Sequence, residues 1–230
     1  MVRQYIPEEA MVRERFAQVS GRVADAAASA GRDAADVRIL VATKYVAAEH
    51  LGVLRDAGIR LIGENRAQDL VAKHELFGNA FEYHFIGHLQ SRKTRLVVPL
   101  VSLIHSLSTI SVVQEIEARA ANVTEVLLEV NIAGEESKSG IAPAAADAFL
   151  HEAAACGKVR FRGLMCMPPL SADAAAARSY FAQTRELAER LSTTWQGTYT
   201  FDQLSMGTSA DYEVAVQEGA TIVRIGSVLF

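Results

Sequence analysis

Residues 37–50 read VRILVATKYVAAEH. Val37, Ile39, Leu40 and Val41 form a short apolar, β-branched run, and residues 46–54 behind it have the spacing of a helix. A strand that passes directly into a helix is the first half of a βαβ unit, the building block of parallel sheets. Between the two elements stands Lys44, at the carboxyl end of the strand.

The unit recurs along the chain. Seven further apolar strand candidates lie at 59–63, 83–87, 102–107, 125–132, 159–165, 202–207 and 221–226. The separators RAQDLVAKHELF, TISVVQEIEARAA, PAAADAFLHEAAA, ADAAAARSYFAQTRELAERL and SADYEVAVQEGA are helical in pattern, mostly rich in Ala, Glu, Leu and Arg. Eight strand-and-helix units predict an α/β fold of the (β/α)8 TIM-barrel type. A doubly wound parallel sheet accommodates the same alternation, and the strand count favours closure. Residues 8–30 read as an amphipathic helix ahead of the first strand, ended near Gly31. The expectation is one domain spanning 1–230.

Composition restricts the partners. The chain has 230 residues, 50% of them hydrophobic, and a formal net charge of -4, which argues against a nucleic-acid or anionic-membrane surface, since that needs clustered Lys and Arg on one face. Only two cysteines, Cys156 and Cys166, are present, without CxxC spacing, so neither a disulfide framework nor a zinc site is indicated. The N-terminal MVRQYIPEEAMVRERF is charged throughout and lacks a signal-peptide core, and no run approaches the roughly 20 apolar residues of a membrane span. These features place the protein in the cytoplasm with a small-molecule partner.

Active sites in barrels of this type lie at the carboxyl ends of the strands. Here those ends carry Lys44, Glu64, Asn65, Gly87, His88, Ser106, Ser108, Asn131, residues 205–209, Gly226 and Ser227, and the amino ends carry no comparable set. Alternation along the first strand puts Leu40, Ala42 and Lys44 on one face, with Val41 and Thr43 on the other. A lysine at a barrel mouth among apolar neighbours is a nucleophilic amine suited to Schiff-base chemistry. A lysine that merely snorkels from an apolar strand fits this stretch as well. In LSMGTSADYEVAVQEG (204–219) the strand ends at Gly207, and Thr208 and Ser209 precede a helix opened by Asp211. Such a turn suits an anion at a helix start, or plain N-capping by Ser209. VRIGSVLF adds Gly226 and Ser227 after the last strand, agreeing with phosphate sites built from the last two βα loops. Arg224 shares a face with Gly226, so it points into the barrel and needs an acceptor.

LVATKYV, GENRAQDL, HFIGHLQSRK, LEVNIAGEESKSGI, GLMCMPP, LSMGTSADYE and VRIGSVLF, in this order, resemble the pyridoxal phosphate homeostasis protein family. Those proteins are similar to the fold type III barrel domain of alanine racemase and lack its β-rich domain. The resemblance implies pyridoxal 5′-phosphate (PLP) held as a Schiff base on Lys44. It places Ser205, Gly207, Ser209, Gly226 and Ser227 at or near the phosphate, Arg224 at the pyridine nitrogen, and Asn65 and His84 along the pocket. It further implies a role in intracellular PLP and vitamin B6 homeostasis without substantial catalytic turnover. The partners it suggests are PLP, amino acids and apo-enzymes that receive the cofactor, with the protein acting as a monomer. Tyr45, Arg92 and Thr208 depart from the family pattern beside these contacts, as does the chain's stop at Phe230 without the family's short tail, which the cofactor does not need.

Two other readings stay open. A PLP-dependent racemase needs a second base, which alanine racemase takes from a tyrosine of its partner's β-rich domain; Tyr45 and Tyr212 are the tyrosines nearest the pocket motifs. A cofactor-free Schiff-base aldolase would use Lys44 and the anion turn. His84 and His88 have i, i+4 spacing, but on a strand end this does not converge on one metal. Glu129 and Asn131 share a face of the fifth strand and either pair with Arg224 inside the barrel or face a helix. EESKSG (135–140) reads as a solvated loop near the pocket rim, and Met165, Cys166 and Met167 as core and rim packing.

Overall fold

Eight parallel strands close into one barrel in chain order, with β8 (Ile222–Ile225) paired back onto β1 (Arg38–Ala42). Between them lie β2 (Leu61–Glu64), β3 (Glu82–Phe85), β4 (Leu103–Leu107), β5 (Thr124–Val130), β6 (Val159–Cys166) and β7 (Gln203–Thr208). Each falls within a residue or two of the segment its apolar run marked. The computed structural model describes residues 5–135, 139–169 and 173–230.

The two-residue period of each strand sorts its side chains. Leu40, Leu61, Leu103, Leu127, Met165 and Ile222 point inward and form the apolar layer inside the barrel, with Ile86 packed on it. Val41, Ile62, Phe85, Ile104, Val126, Leu128, Val223 and Ile225 point outward into the larger core shared with the helices. Gly63 also faces inward, where an added Cβ would lie 2.4 Å from Leu40 Cδ2, so β2 leaves room there for its neighbour's leucine.

The helices are α1 (Glu9–Ser29), α2 (Leu51–Asp56), α3 (Ala67–Phe77), α4 (Thr94–Val97), α5 (Ile110–Arg119), α6 (Ala146–Ala153), α7 (Ala174–Thr194) and α8 (Tyr212–Gln217). α1 precedes the barrel and packs on α2 and α8 through Val12, Val19, Val23 and Ala27. Asp173 caps α7, its carboxylate accepting from Ala176 N–H at 2.7 Å.

The segment expected as one helix over 46–54 is built differently. Val46 forms an isolated bridge with Tyr5, residues Ala48–His50 make a 3₁₀ turn, and α2 begins only at Leu51. Within the loop expected over 135–140, residues 136–138 lie outside the described residues. No helix among the described residues is long and apolar enough to cross a membrane.

Candidate functional site

β1 ends at Ala42, so Lys44 stands in the turn that follows rather than on the strand. Its side chain is exposed and its Nζ lies 4.9 Å from the centroid of the Tyr45 ring, a cation–π contact. The apolar enclosure expected around this amine is therefore replaced by one aromatic face. Lys44 and Asn65 line a cavity of about 350 Å³ with Tyr45, Arg66, Asp69 and Lys73. Asn65 Oδ1 is buried and has no hydrogen-bond partner among the described residues.

Thr43, Glu64 and Lys73 hold this corner together from outside the barrel. Lys73 Nζ donates to Thr43 O at 2.8 Å and to the Glu64 carboxylate, which also accepts from Thr43 Oγ1. Both ionic side chains are almost wholly buried. Burial pushes the Glu64 carboxyl above its ordinary pKa, opposed by the Lys73 charge. Glu64 thus faces α3 and not the mouth, as alternation against inward Gly63 requires.

At the ends of β7 and β8 the backbone makes the second part of the site. Gly207 has φ +90, and an added Cβ would lie 2.5 Å from Ala215 Cβ and 3.0 Å from Tyr212 Cα. Only glycine lets this turn bring α8 so close to the strand end. Asp211, not Ser209, is the residue before α8, and its carboxylate accepts from Thr208 N–H at 2.6 Å and Thr208 Oγ1 at 3.0 Å. Ser209 Oγ instead accepts from Gly226 N–H at 3.1 Å, tying the two loops together. Ser227 is exposed beside it. Gly226 and Ala42, on neighbouring strand ends, leave the floor of the mouth without large side chains: an added Cβ at Gly226 would meet Ala42 Cβ at 3.6 Å.

Beneath that floor lies Arg224, 6% exposed. Its Nη1 donates to Ser205 O at 2.7 Å and Ser205 Oγ at 2.6 Å, and its Nη2 donates to Cys166 O at 3.0 Å. Those acceptors are all neutral. Burial lowers the guanidinium pKa, with Asp211 and Glu129 among the charges that oppose it. Glu129 faces the interior without a hydrogen bond to Arg224; its Oε2 is buried and has no hydrogen-bond partner among the described residues, and desolvation raises its pKa against the pull of His88 and Arg224. Asn131 is occupied in its own loop, its Nδ2 donating to Glu135 O at 2.8 Å.

Two residues expected at the pocket lie deeper. Ser205 is fully buried, its hydroxyl engaged by Arg224 and, at 2.8 Å, by His105 Nδ1. His84 is 1% exposed and bonds His105 Nε2 through Nδ1 at 2.9 Å and Glu82 Oε1 through Nε2 at 2.9 Å. Both stand inside the barrel because they share the inward face of their strands with Gly207 and Ile86, two residues further on. His88 is exposed, and no group of three or more His, Cys, Asp or Glu suited to a metal occurs among the described residues. His105 and Glu82 were not singled out from the sequence; their alternation with Leu103 and His84 was the available signal.

The amino ends of the strands also carry more polar groups than their sequence suggested. Arg38 pairs with Glu82 at 2.5 Å, and Arg162 pairs with Glu125 at 2.7 Å and Asp202 at 3.2 Å.

Residues 24–230 match the family model of the alanine racemase N-terminal domain. The chain is 38% identical over 221 residues to a pyridoxal phosphate homeostasis protein of Aquifex aeolicus, covering 94% of this chain and 96% of the relative. It is 39% identical over 223 residues to the protein of that name from Pseudomonas aeruginosa, covering 95% and 94%. PipY of Synechococcus elongatus PCC7942, solved with PLP bound, superposes with a TM-score of 0.83 at 29% identity, covering 95% of this chain and 99% of PipY. An alanine racemase of Clostridium difficile, with TM-score 0.66 at 12% identity over 85% of this chain and 55% of its own, shares the fold.

Proposed function

The chain belongs to the pyridoxal phosphate homeostasis proteins of the alanine racemase N-terminal domain family, and from that premise we propose that it binds PLP covalently through Lys44 and keeps it as a non-catalytic carrier. The observation that carries the reading is convergence at one end of the barrel. An accessible primary amine just after β1, a glycine-built turn after β7 bridged to the β8 loop, and a buried guanidinium on β8 under a floor of small residues stand at the carboxyl ends of neighbouring strands. These fit an aldehyde, a phosphate and a pyridine ring respectively.

Bound PLP supplies an aldehyde for amines and an electron-withdrawing ring. The protein residues decide how much of that is used. Lys44 supplies the amine, restrained only by an aromatic contact worth about 0.5–1 kcal/mol at an exposed site. Ser209, Ser227 and the backbone around Gly207 and Gly226 hold the phosphate, while Ser205 supports Arg224 from below. Asn65 lines the pocket rim beside Lys44. Arg224, permanently charged, disfavours a proton on the ring nitrogen and so weakens the electron sink.

Neither tyrosine near the pocket motifs supports the second base that the racemase alternative needs. Tyr212, the first residue of α8, is 4% exposed and packed in the outer core, and Tyr45 is in contact with the lysine itself. We further propose that amino acids are ligands, that apo-enzymes receive the cofactor, and that the protein works as a monomer in the cytoplasm; its two cysteines, neither in a disulfide among the described residues, suit a reducing compartment. The test is borohydride reduction of the PLP-loaded protein followed by peptide mass spectrometry. A pyridoxyl group on Lys44, and loss of the visible absorbance in Lys44→Ala, is the expected result. The label on Lys73 or Lys93 instead would overturn the assignment.

A further inference from the structure

A row of hydrogen bonds crosses the barrel interior from the Arg224 guanidinium to the amino end of β3. It runs Arg224 Nη1 to Ser205 Oγ at 2.6 Å, Ser205 Oγ to His105 Nδ1 at 2.8 Å, His105 Nε2 to His84 Nδ1 at 2.9 Å and His84 Nε2 to Glu82 Oε1 at 2.9 Å. Glu82 also accepts from Ser102 Oγ at 2.8 Å and pairs with Arg38.

Each link constrains the next. A guanidinium only donates, so Ser205 Oγ accepts from Arg224. An ionised carboxylate only accepts, so His84 carries its proton on Nε2. A neutral imidazole then has a bare Nδ1, which must accept from His105 Nε2–H, and the bare Nδ1 of His105 accepts the Ser205 hydroxyl proton. Burial keeps both imidazoles neutral, and the hydrogen bond from His84, followed by those of its other neighbours, keeps Glu82 ionised down to about 2. Donors and acceptors match at every link in one direction only, from Arg224 to Glu82.

We propose that Glu82 sets the direction of this chain and that Glu82, His84, His105 and Ser205 are positioning residues, fixing the guanidinium of Arg224 for the ring nitrogen of the cofactor from the far end of the barrel. The last part rests on the function proposed above; the direction of the chain and the fixing of Arg224 do not.

The test is NMR of the ¹⁵N-labelled protein carrying PLP labelled at its ring nitrogen. Long-range proton–nitrogen spectra are expected to show His84 and His105 as Nε2–H tautomers. Glu82→Gln, at a partly exposed position, presents an amide that donates or accepts, and is expected to mix the tautomers of both histidines. His105→Leu is expected to shift the Nη1 signal of Arg224, which bonds Ser205 Oγ, and the ring nitrogen, with the Nη2 signal held by the Cys166 carbonyl; His105→Gln, which can still accept from Ser205 and donate to His84, is expected to restore both. An Nδ1–H tautomer in the parent protein, or unchanged tautomers in Glu82→Gln, overturns the directional chain. Arg224 signals unaffected by His105→Leu overturn the positioning role. Histidine and Arg224 signals that respond while the ring nitrogen does not would leave the chain standing and remove Arg224 from the cofactor.

Discussion

Lys73→Met tests the buried corner that carries Lys44. Lys73 and Glu64 have side-chain exposures of 3% and 0%, and Lys73 is the cation bonded both to that carboxylate and to the carbonyl of Thr43, the residue before Lys44. Methionine keeps the length and apolar stem of lysine but removes the charge, leaving Glu64 with only the Thr43 hydroxyl. Breaking a buried pair by removing one partner costs about 3–5 kcal/mol, because the remaining charge is uncompensated. Unfolding in urea, followed by the single tryptophan, Trp195, buried at the end of α7, reports the loss on cofactor-free protein. The loss should depend on pH. A carboxyl whose folded pKa is raised binds its proton more tightly when folded, so the penalty is complete above the folded pKa and fades as pH falls towards the ordinary 4.5. Glu64→Leu together with Lys73→Met removes both charges and should return stability to within about 1.5 kcal/mol of the parent. A single-variant loss under about 1 kcal/mol, or a double variant no more stable than the single, would refute the assignment of an uncompensated charge.

Three further outcomes are expected. Ser209→Asp sets a carboxylate where the phosphate is proposed to lie, so PLP retention should fall at least about tenfold, on the order of 1.4 kcal/mol, while pyridoxal, lacking phosphate, should bind poorly to the parent; equal retention of pyridoxal and PLP in equilibrium dialysis would place the anion site elsewhere. Glu82 is held at about 2 by its hydrogen bond to His84 and its other partners, so the stability it contributes is present above its ordinary 4.5 and is lost as pH falls towards 2; acid titrations followed by circular dichroism should show that part of the acid limb missing in Glu82→Gln. On the carrier reading proposed above, in which Arg224 weakens the electron sink and no second base acts, the holo-protein should exchange the α-proton of L-alanine in heavy water far more slowly than the roughly 1 to 10³ per second typical of enzymes; exchange at such rates by NMR would make it a racemase.

The strands were legible because each one's two faces are both buried, and near-continuous apolar runs mark such strands from composition alone. The inward direction of Arg224 was legible for the same reason, since it alternates with Val223 and Ile225. What alternation leaves open is depth. Ser205 and Gly207 share a face, as do His84 and Ile86, and only the stagger of neighbouring strands decides which lies at the mouth. The pairing of β7 with β8 shifts register between Ser205 and Thr208, so Ser205 stands beside Ile222, in the apolar layer, while Thr208 stands beside Arg224. Lys44 shows the other limit. Its face was assigned by extending the period of β1 two residues past Ala42, where the chain has already turned.

The interior row bears on the same question of depth. Barrels of this type are ordinarily filled by layers of branched apolar side chains, and this one keeps such a layer in Leu40, Leu61, Leu103, Leu127, Met165 and Ile222. Above and across it stand two histidines, a serine and an arginine, all buried. A buried polar group is destabilising unless it is hydrogen-bonded, and a partly satisfied network is worse than an apolar core. The row escapes that penalty only while every link points the same way, and a guanidinium at one end and a carboxylate at the other are what impose one direction. Neutralising the carboxylate frees the two imidazoles to choose between tautomers and leaves the Ser205 hydroxyl without a fixed direction, while the carbonyls of Ser205 and Cys166 still accept from Arg224. On the proposal above, the Ser205 hydroxyl contact beneath the mouth is set by a carboxylate at the far end of the barrel, acting alongside the two backbone carbonyls that hold the guanidinium directly.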